Sequence, residues 1–321
     1  MFIIELIKGI ILGIVEGLTE FAPVSSTGHM ILVDDMWLKS SEFLGSQSAF
    51  TFKIVIQLGS VFAAAWVFRE RFLEILHIGK HKHVEGENNQ QRRSKPRRLN
   101  LLHVLVGMVP AGILGLLFDD FIEEHLFSVP TVMIGLFVGA IYMIIADKYS
   151  VKVKNPQTVD QINYFQAFVI GISQAVAMWP GFSRSGSTIS TGVLMKLNHK
   201  AASDFTFIMA VPIMLAASGL SLLKHYQDIQ IADIPFYILG FLAAFTVGLI
   251  AIKTFLHLIN KIKLIPFAIY RIVLVIFIAI LYFGLALVKV FNFLLKYKLS
   301  IKEPLDWQFL LSSLKKHLKY L

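Results

Sequence analysis

A chain of 321 residues with 56% hydrophobic and only 16% charged side chains, at mean hydropathy +0.68, is not composed like a soluble domain, where about a quarter of residues are charged. The absence of cysteine excludes disulfides and thiolate metal sites. The net charge of +9 sits in segments flanking apolar runs, so it reads as a set of topology determinants rather than a nucleic-acid footprint.

Residues 2–20 (FIIELIKGIILGIVEGLTE) are helical in composition, and Lys8, Glu16 and Glu20 within them argue against a cleavable leader. Pro23 biases Ala22 away from helix, and Ser25, Ser26 and Thr27 offer N-caps for a second short helix over about 28–38. Apolar spans are expected at 50–68, 101–118 and 129–146. A basic loop at 69–98, expected to be poorly ordered in its middle, separates the first two spans. An acidic patch of Asp119, Asp120, Glu123 and Glu124 follows the second span, and Lys148, Lys152 and Lys154 follow the third.

The pattern then restarts. Residues 164–178 (YFQAFVIGISQAVAM) are apolar but too short to cross, since a crossing takes about 20 residues. After the Pro180-Gly181 break, Ser183 to Thr188 lead into a short helix ending near Lys196. Spans at 204–223, 235–256 and 267–288 follow, and a lysine-rich tail over 291–321 reads as interfacial or poorly fixed. A shift of 158 places Gly13 on Gly171, Glu16 on Gln174, Phe21 on Trp179, Ser25 on Ser183 and Gly28 on Gly186. An internal repeat with halves at 1–150 and 160–290 is the expected organisation.

Loop charge sets the topology. Lysines stand both before the second broken segment (Lys148, Lys152, Lys154) and after it (Lys196, Lys200), so both its ends face the cytoplasm and residues 164–197 dip in and return. The repeat implies the same for residues 2–38, which then enter from outside. The expected fold class is an all-α polytopic membrane protein with an inverted-topology repeat, each half a re-entrant hairpin plus three transmembrane helices. The hairpin tips can then meet near the midplane. The lysine-rich tail falls outside, which the positive-inside rule disfavours.

Those tips carry the polar chemistry. Glu16 and Glu20 are four apart and share a helix face, a pair suited to a divalent cation or to general-base work beside one. Taken alone, such a pair is as readily a hydrated surface feature. Ser25, Ser26, Thr27 and His29 follow within nine residues, with hydroxyls at a new helix start where free backbone N–H groups favour an anion. Arg184 sits at the second tip, and its guanidinium can hold phosphate oxygens bidentately, with Ser183, Ser185, Ser187 and Thr188 as further donors. Gln57 and Gln174 are buried polar candidates, though buried amides in bundles are more often helix–helix contacts.

The motifs Glu16-x-x-x-Glu20, PVSSTGH and PGFSRSGST resemble those of the bacterial undecaprenyl-diphosphatase family, also called BacA or the bacitracin-resistance proteins. The resemblance covers roughly residues 1–290. It implies hydrolysis of undecaprenyl diphosphate to the monophosphate carrier of peptidoglycan synthesis, dependent on a divalent cation, Mg²⁺ or Ca²⁺. It places the essential acids on Glu16 and Glu20, the histidine on His29, the serine nucleophile on Ser26 and the arginine motif on Ser183, Arg184 and Thr188. Ser25, Thr27, Ser185 and Gln57 are expected to line the substrate. Glu20 or His29 would act as base, with His29 itself or a metal-activated water as alternative nucleophiles. The implied location is the bacterial cytoplasmic (inner) membrane, with the active site opening to the periplasmic face and a homodimer left open. The alternative from another class is a transporter or flippase of anionic polyprenyl lipids. The long basic loop and the tail depart from the family pattern without touching its motifs.

Overall fold

A computed structural model describes residues 2–76 and 98–300. Regular structure among them is helical, with no strand and an isolated bridge between Gln157 and Leu197. The helices are α1 (Phe2–Thr19), α2 (Ser26–Met30), a π-helical stretch (Ile31–Leu38), α3 (Ser40–Leu44), α4 (Ser46–Val67) and α5 (Arg69–Ile75). They continue as α6 (Leu101–Leu126), α7 (Val129–Ser150), α8 (Tyr164–Val176), α9 (Arg184–Leu194), α10 (His199–Lys224), α11 (Ile234–Ile262) and α12 (Ile265–Ser300). Among the described residues α4, α6, α7, α10, α11 and α12 are long and apolar enough to cross a membrane. These are the six expected spans, with bounds shifted by a few residues; α6 runs on as helix through the acidic residues after 118 to Leu126.

The chain divides into two compact units, Met1–Ile272 and Val273–Leu321. In the second, helix continues to Ser300 and exposes Ile276, Phe277, Ile280 and Phe283. Residues 301–321 of the expected tail lie outside the described residues. The expected loop at 69–98 begins differently, as helix α5. Arg71 fixes it there, donating from Nη2 to both oxygens of Asp160 at 2.8 Å and from Nη1 to Glu74 at 3.0 Å. The part expected to be poorly ordered, 77–97, lies outside the described residues.

Both broken segments turn through the same geometry. Ser25 has φ 72° and ψ 101°, Ser183 has φ 72° and ψ 111°, and each side chain accepts a hydrogen bond from the glycine N–H three residues on. A left-handed conformation at a non-glycine residue costs roughly 1–3 kcal/mol and persists only where surrounding contacts enforce it. Here the cap and the packed helices on either side do so. The expected second helix over 28–38 is instead a five-residue α-turn followed by the π-helical stretch. That stretch stops at Lys39 in the left-handed region, where buried Asp34 accepts from the Ser40 N–H at 2.7 Å, the Ser40 hydroxyl at 2.8 Å and Lys53 at 2.8 Å.

The lead helix of each broken segment packs on a helix distant in sequence: α1 against α11, α8 against α6. Glycines make both contacts possible. A Cβ at Gly13 would collide with the Gly240 carbonyl, and one at Gly171 with the Gly107 carbonyl, so backbones lie against each other. Gly171→Val therefore has no side-chain room to exploit, and the helices must part. It is expected to cost about 1–3 kcal/mol, lowering the melting temperature in detergent by several degrees. Gly112→Ala, where nothing lies within 4 Å, should leave melting unchanged or raise it.

Beneath the turns lies an aromatic floor. Phe21 meets Phe207 edge to face at 5.1 Å, and Phe207 contacts Phe68 and Phe255 at 6.1 and 5.7 Å. All four rings are buried, so the polar atoms above them find partners mainly in one another.

Candidate active site

The two turns meet. Arg184, the first residue of α9, donates from Nη2 to Glu20 Oε1 at 2.9 Å, and the next residue, Ser185, donates from Oγ to the Ala22 carbonyl at 3.0 Å. The other carboxylate oxygen, Glu20 Oε2, accepts from Ser26 Oγ at 2.6 Å. One carboxylate thus joins the arginine of one segment to a hydroxyl of the other. Glu16, one helical turn earlier and only 4% exposed, lies within hydrogen-bond reach of Glu20 and within the field of Arg184. The guanidinium rests over the Phe21 ring, 5.5 Å from its centroid. Its Nη1 is buried with no hydrogen-bond partner. A buried unpaired donor on a cation is costly, so this atom is a ready partner for an anionic oxygen.

His29 is turned away from Ser26. Its Nδ1 is 2.7 Å from the Ser25 carbonyl and its Nε2 is 2.7 Å from the Tyr270 hydroxyl on α12. The remaining hydroxyls expected at the site hold the turns. Ser183 Oγ accepts from the Gly186 N–H at 3.2 Å and pairs with Ser185 Oγ at 3.3 Å. Thr188 donates to the Arg184 carbonyl at 2.9 Å and accepts from Thr206 at 3.0 Å. Thr27 is half-buried on the same short turn as Ser26. Gln57 has another neighbour, accepting from Ser218 of α10 at 3.4 Å. The structure therefore brings Glu16, Glu20, Ser26, Arg184 and Ser185 into one cluster, and ties Ser25 and His29 to its edge.

Two residues at the site escaped the sequence reading. Tyr270 is one. Arg271, fully buried, is the other: its Nη2 donates to the carbonyls of Gly181 and Phe182 at 2.9 Å and reaches that of Gly135 at 3.3 Å. It locks the Pro180-Gly181-Phe182 turn that presents Arg184. The signal was present, since Arg271 is the single charge between Ile265 and Gly284, and an intramembrane arginine marks function by default.

The donor set accommodates a divalent cation. Two carboxylates stand together, and among the described residues no group of three His, Asp or Glu side chains forms an all-protein cage. Mg²⁺ is habitually held by one or two carboxylates with water and substrate phosphate completing its shell, which is what Glu16 and Glu20 offer.

A family model described as bacitracin resistance protein BacA matches residues 9–277. Proteins named undecaprenyl-diphosphatase from Staphylococcus aureus strains JH9 and N315 are 98% identical over 289 residues, 90% of this chain and 99% of theirs. The protein of that name from strain MSSA476 is 97% identical over the same extent.

Proposed function

The chain belongs to the BacA family, and from that premise we propose that it is an undecaprenyl-diphosphatase, a multi-pass membrane enzyme that removes the terminal phosphate from undecaprenyl diphosphate. The observation that carries the reading is the chain of contacts Arg184–Glu20–Ser26, closed over an aromatic floor with one guanidinium donor unspent. In this reading Arg184 holds an oxygen of the diphosphate and stabilises charge developing on the transferred phosphoryl group. Substrate phosphate draws the guanidinium from Glu20, freeing that carboxylate to take the Ser26 proton. Ser26 Oγ then bonds to the terminal phosphorus, and the bond to the bridging oxygen breaks, releasing undecaprenyl phosphate. Glu20 passes that proton to the departing phosphate oxygen, then takes one from water as the water oxygen bonds to phosphorus, and returns it to Ser26 Oγ as the P–Oγ bond breaks and inorganic phosphate leaves. Ser25, Thr27, Ser183, Ser185, Thr188 and Gln57 shape and hold the substrate's surroundings. A divalent cation held by Glu16 and Glu20, when bound, neutralises phosphate charge.

The finer architecture follows the same line. The halves 1–150 and 160–290 form an inverted repeat, each a re-entrant hairpin (2–38 and 164–197) and three spans. The matched turns at Ser25 and Ser183 and the reciprocal packing of α1 on α11 and α8 on α6 support this. The short α8 cannot cross, so the tips meet within the bilayer. The basic segment 69–98, which opens with α5, then falls on the cytoplasmic side and the site opens to the periplasm.

The test is phosphate release by purified protein in detergent with undecaprenyl diphosphate and Mg²⁺ or Ca²⁺. Stoichiometric release of inorganic phosphate, lost on chelation and restored by cation, is expected. A flippase of anionic polyprenyl lipids would release none.

A further inference from the structure

We propose that Tyr270 is a positioning residue that fixes the tautomer and plane of His29, an inference that rests on the phosphatase reading of the site. The hydrogen bonds determine the proton's place. A backbone carbonyl can only accept, so the Nδ1 facing the Ser25 carbonyl at 2.7 Å carries the hydrogen. In neutral imidazole Nε2 is then the acceptor, and the Tyr270 hydroxyl at 2.7 Å is its donor. If the ring takes up a second proton, the same hydroxyl can rotate and accept, since a phenol does both. One partner thus serves both charge states without movement of the chain.

The geometry is over-determined in the way a positioning contact requires. The two rings lie 5.6 Å apart and within 10° of parallel, set edge to edge by the 2.7 Å contact, so the phenol restrains the plane of the imidazole as well as its proton. The Ser25 carbonyl is aimed at the ring by the left-handed turn at that residue, which also caps the helix bearing Ser26. Tyr270 precedes Arg271, whose guanidinium holds the carbonyls of the second turn. Two consecutive residues of α12 thereby hold both turns, Tyr270 through His29 and Arg271 through Gly181 and Phe182. The arrangement also bears on chemistry. The Nε2 lone pair is occupied by the phenol, and Ser26 already has Glu20 as acceptor. His29 therefore acts at the edge of the site through its fixed orientation and tautomer, and Tyr270 sets both.

The test uses the full-length protein and Tyr270→Phe, which keeps the ring and removes the hydroxyl. With ¹⁵N-labelled histidine, the His29 resonance, identified by its loss in His29→Gln, should report a neutral ring protonated on Nδ1 in the parent protein. It should shift toward an unrestrained ring in Tyr270→Phe. In phosphate release, Tyr270→Phe is expected to lower kcat about tenfold with KM little changed, the loss of one hydrogen bond's worth. In a His29→Gln background it should lower it no further. An unchanged His29 resonance, or a Tyr270→Phe loss of equal size with and without His29, overturns the proposal. The resonance is read without turnover, so a parent protein releasing no phosphate would sink the phosphatase reading while leaving this contact to be judged separately.

Discussion

Replacing Arg184 by alanine is expected to lower phosphate release from undecaprenyl diphosphate by about 10³-fold or more, and by lysine about 10²-fold. The reasons are geometric. Arg184 alone crosses from the second turn to the carboxylates of the first, with Nη2 on Glu20 at 2.9 Å, and its buried Nη1 is uncommitted. Lysine keeps the charge but offers no planar pair of donors, and it cannot spread over Phe21 as the guanidinium does. Alanine does further harm, because Glu20 keeps a buried negative charge beside Glu16 with its counter-ion gone. Thermal melting in detergent separates the two effects. Arg184→Ala should melt well below the parent, and adding Glu20→Gln should recover part of that loss while restoring no activity. Arg184→Ala within tenfold of parent turnover would remove this residue from the site.

Much of this is legible in the sequence. The six spans follow from runs of about 20 apolar residues, and the two turns from Pro23 and Pro180-Gly181 with hydroxyls after them. The 158-residue shift even pairs Ser25 with Ser183, which share φ 72° with ψ of 101° and 111°. What sequence could not show is direction. Nothing in PVSSTGH says that His29 faces α12 while Ser26 faces Glu20, because a five-residue turn can present its side chains to either neighbour. The π-helical stretch after Met30 was likewise hidden, since it depends on Asp34 capturing Ser40 and Lys53 from beyond its end. Tyr270 was hidden by distance, more than 240 residues after the first tip, in a segment that reads as one more span, whereas Arg271 stands out there as its single charge.

Glu20→Gln and Ser26→Ala, measured together, should decide what attacks phosphorus. Glu20→Gln preserves shape but removes the base for Ser26 and the counter-charge of Arg184, and turnover is expected to fall about 10³-fold. The consequence of Ser26→Ala depends on the chemistry. If Ser26 Oγ forms the phosphoenzyme, alanine has nothing to offer and activity should fall at least as far as in Glu20→Gln. If water attacks, Ser26 is only a hydrogen-bond partner of Glu20, and its loss costs about tenfold. Losses in a catalytic unit are also non-additive: with Ser26 as nucleophile and Glu20 as its base, the double variant should be little worse than Ser26→Ala alone. The geometry favours the serine outcome. The 2.6 Å contact points the Ser26 proton at the carboxylate that is to receive it, while both nitrogens of His29 are engaged elsewhere. A single turnover quenched in acid should then leave phosphate on Ser26 in the parent and on no residue in Ser26→Ala.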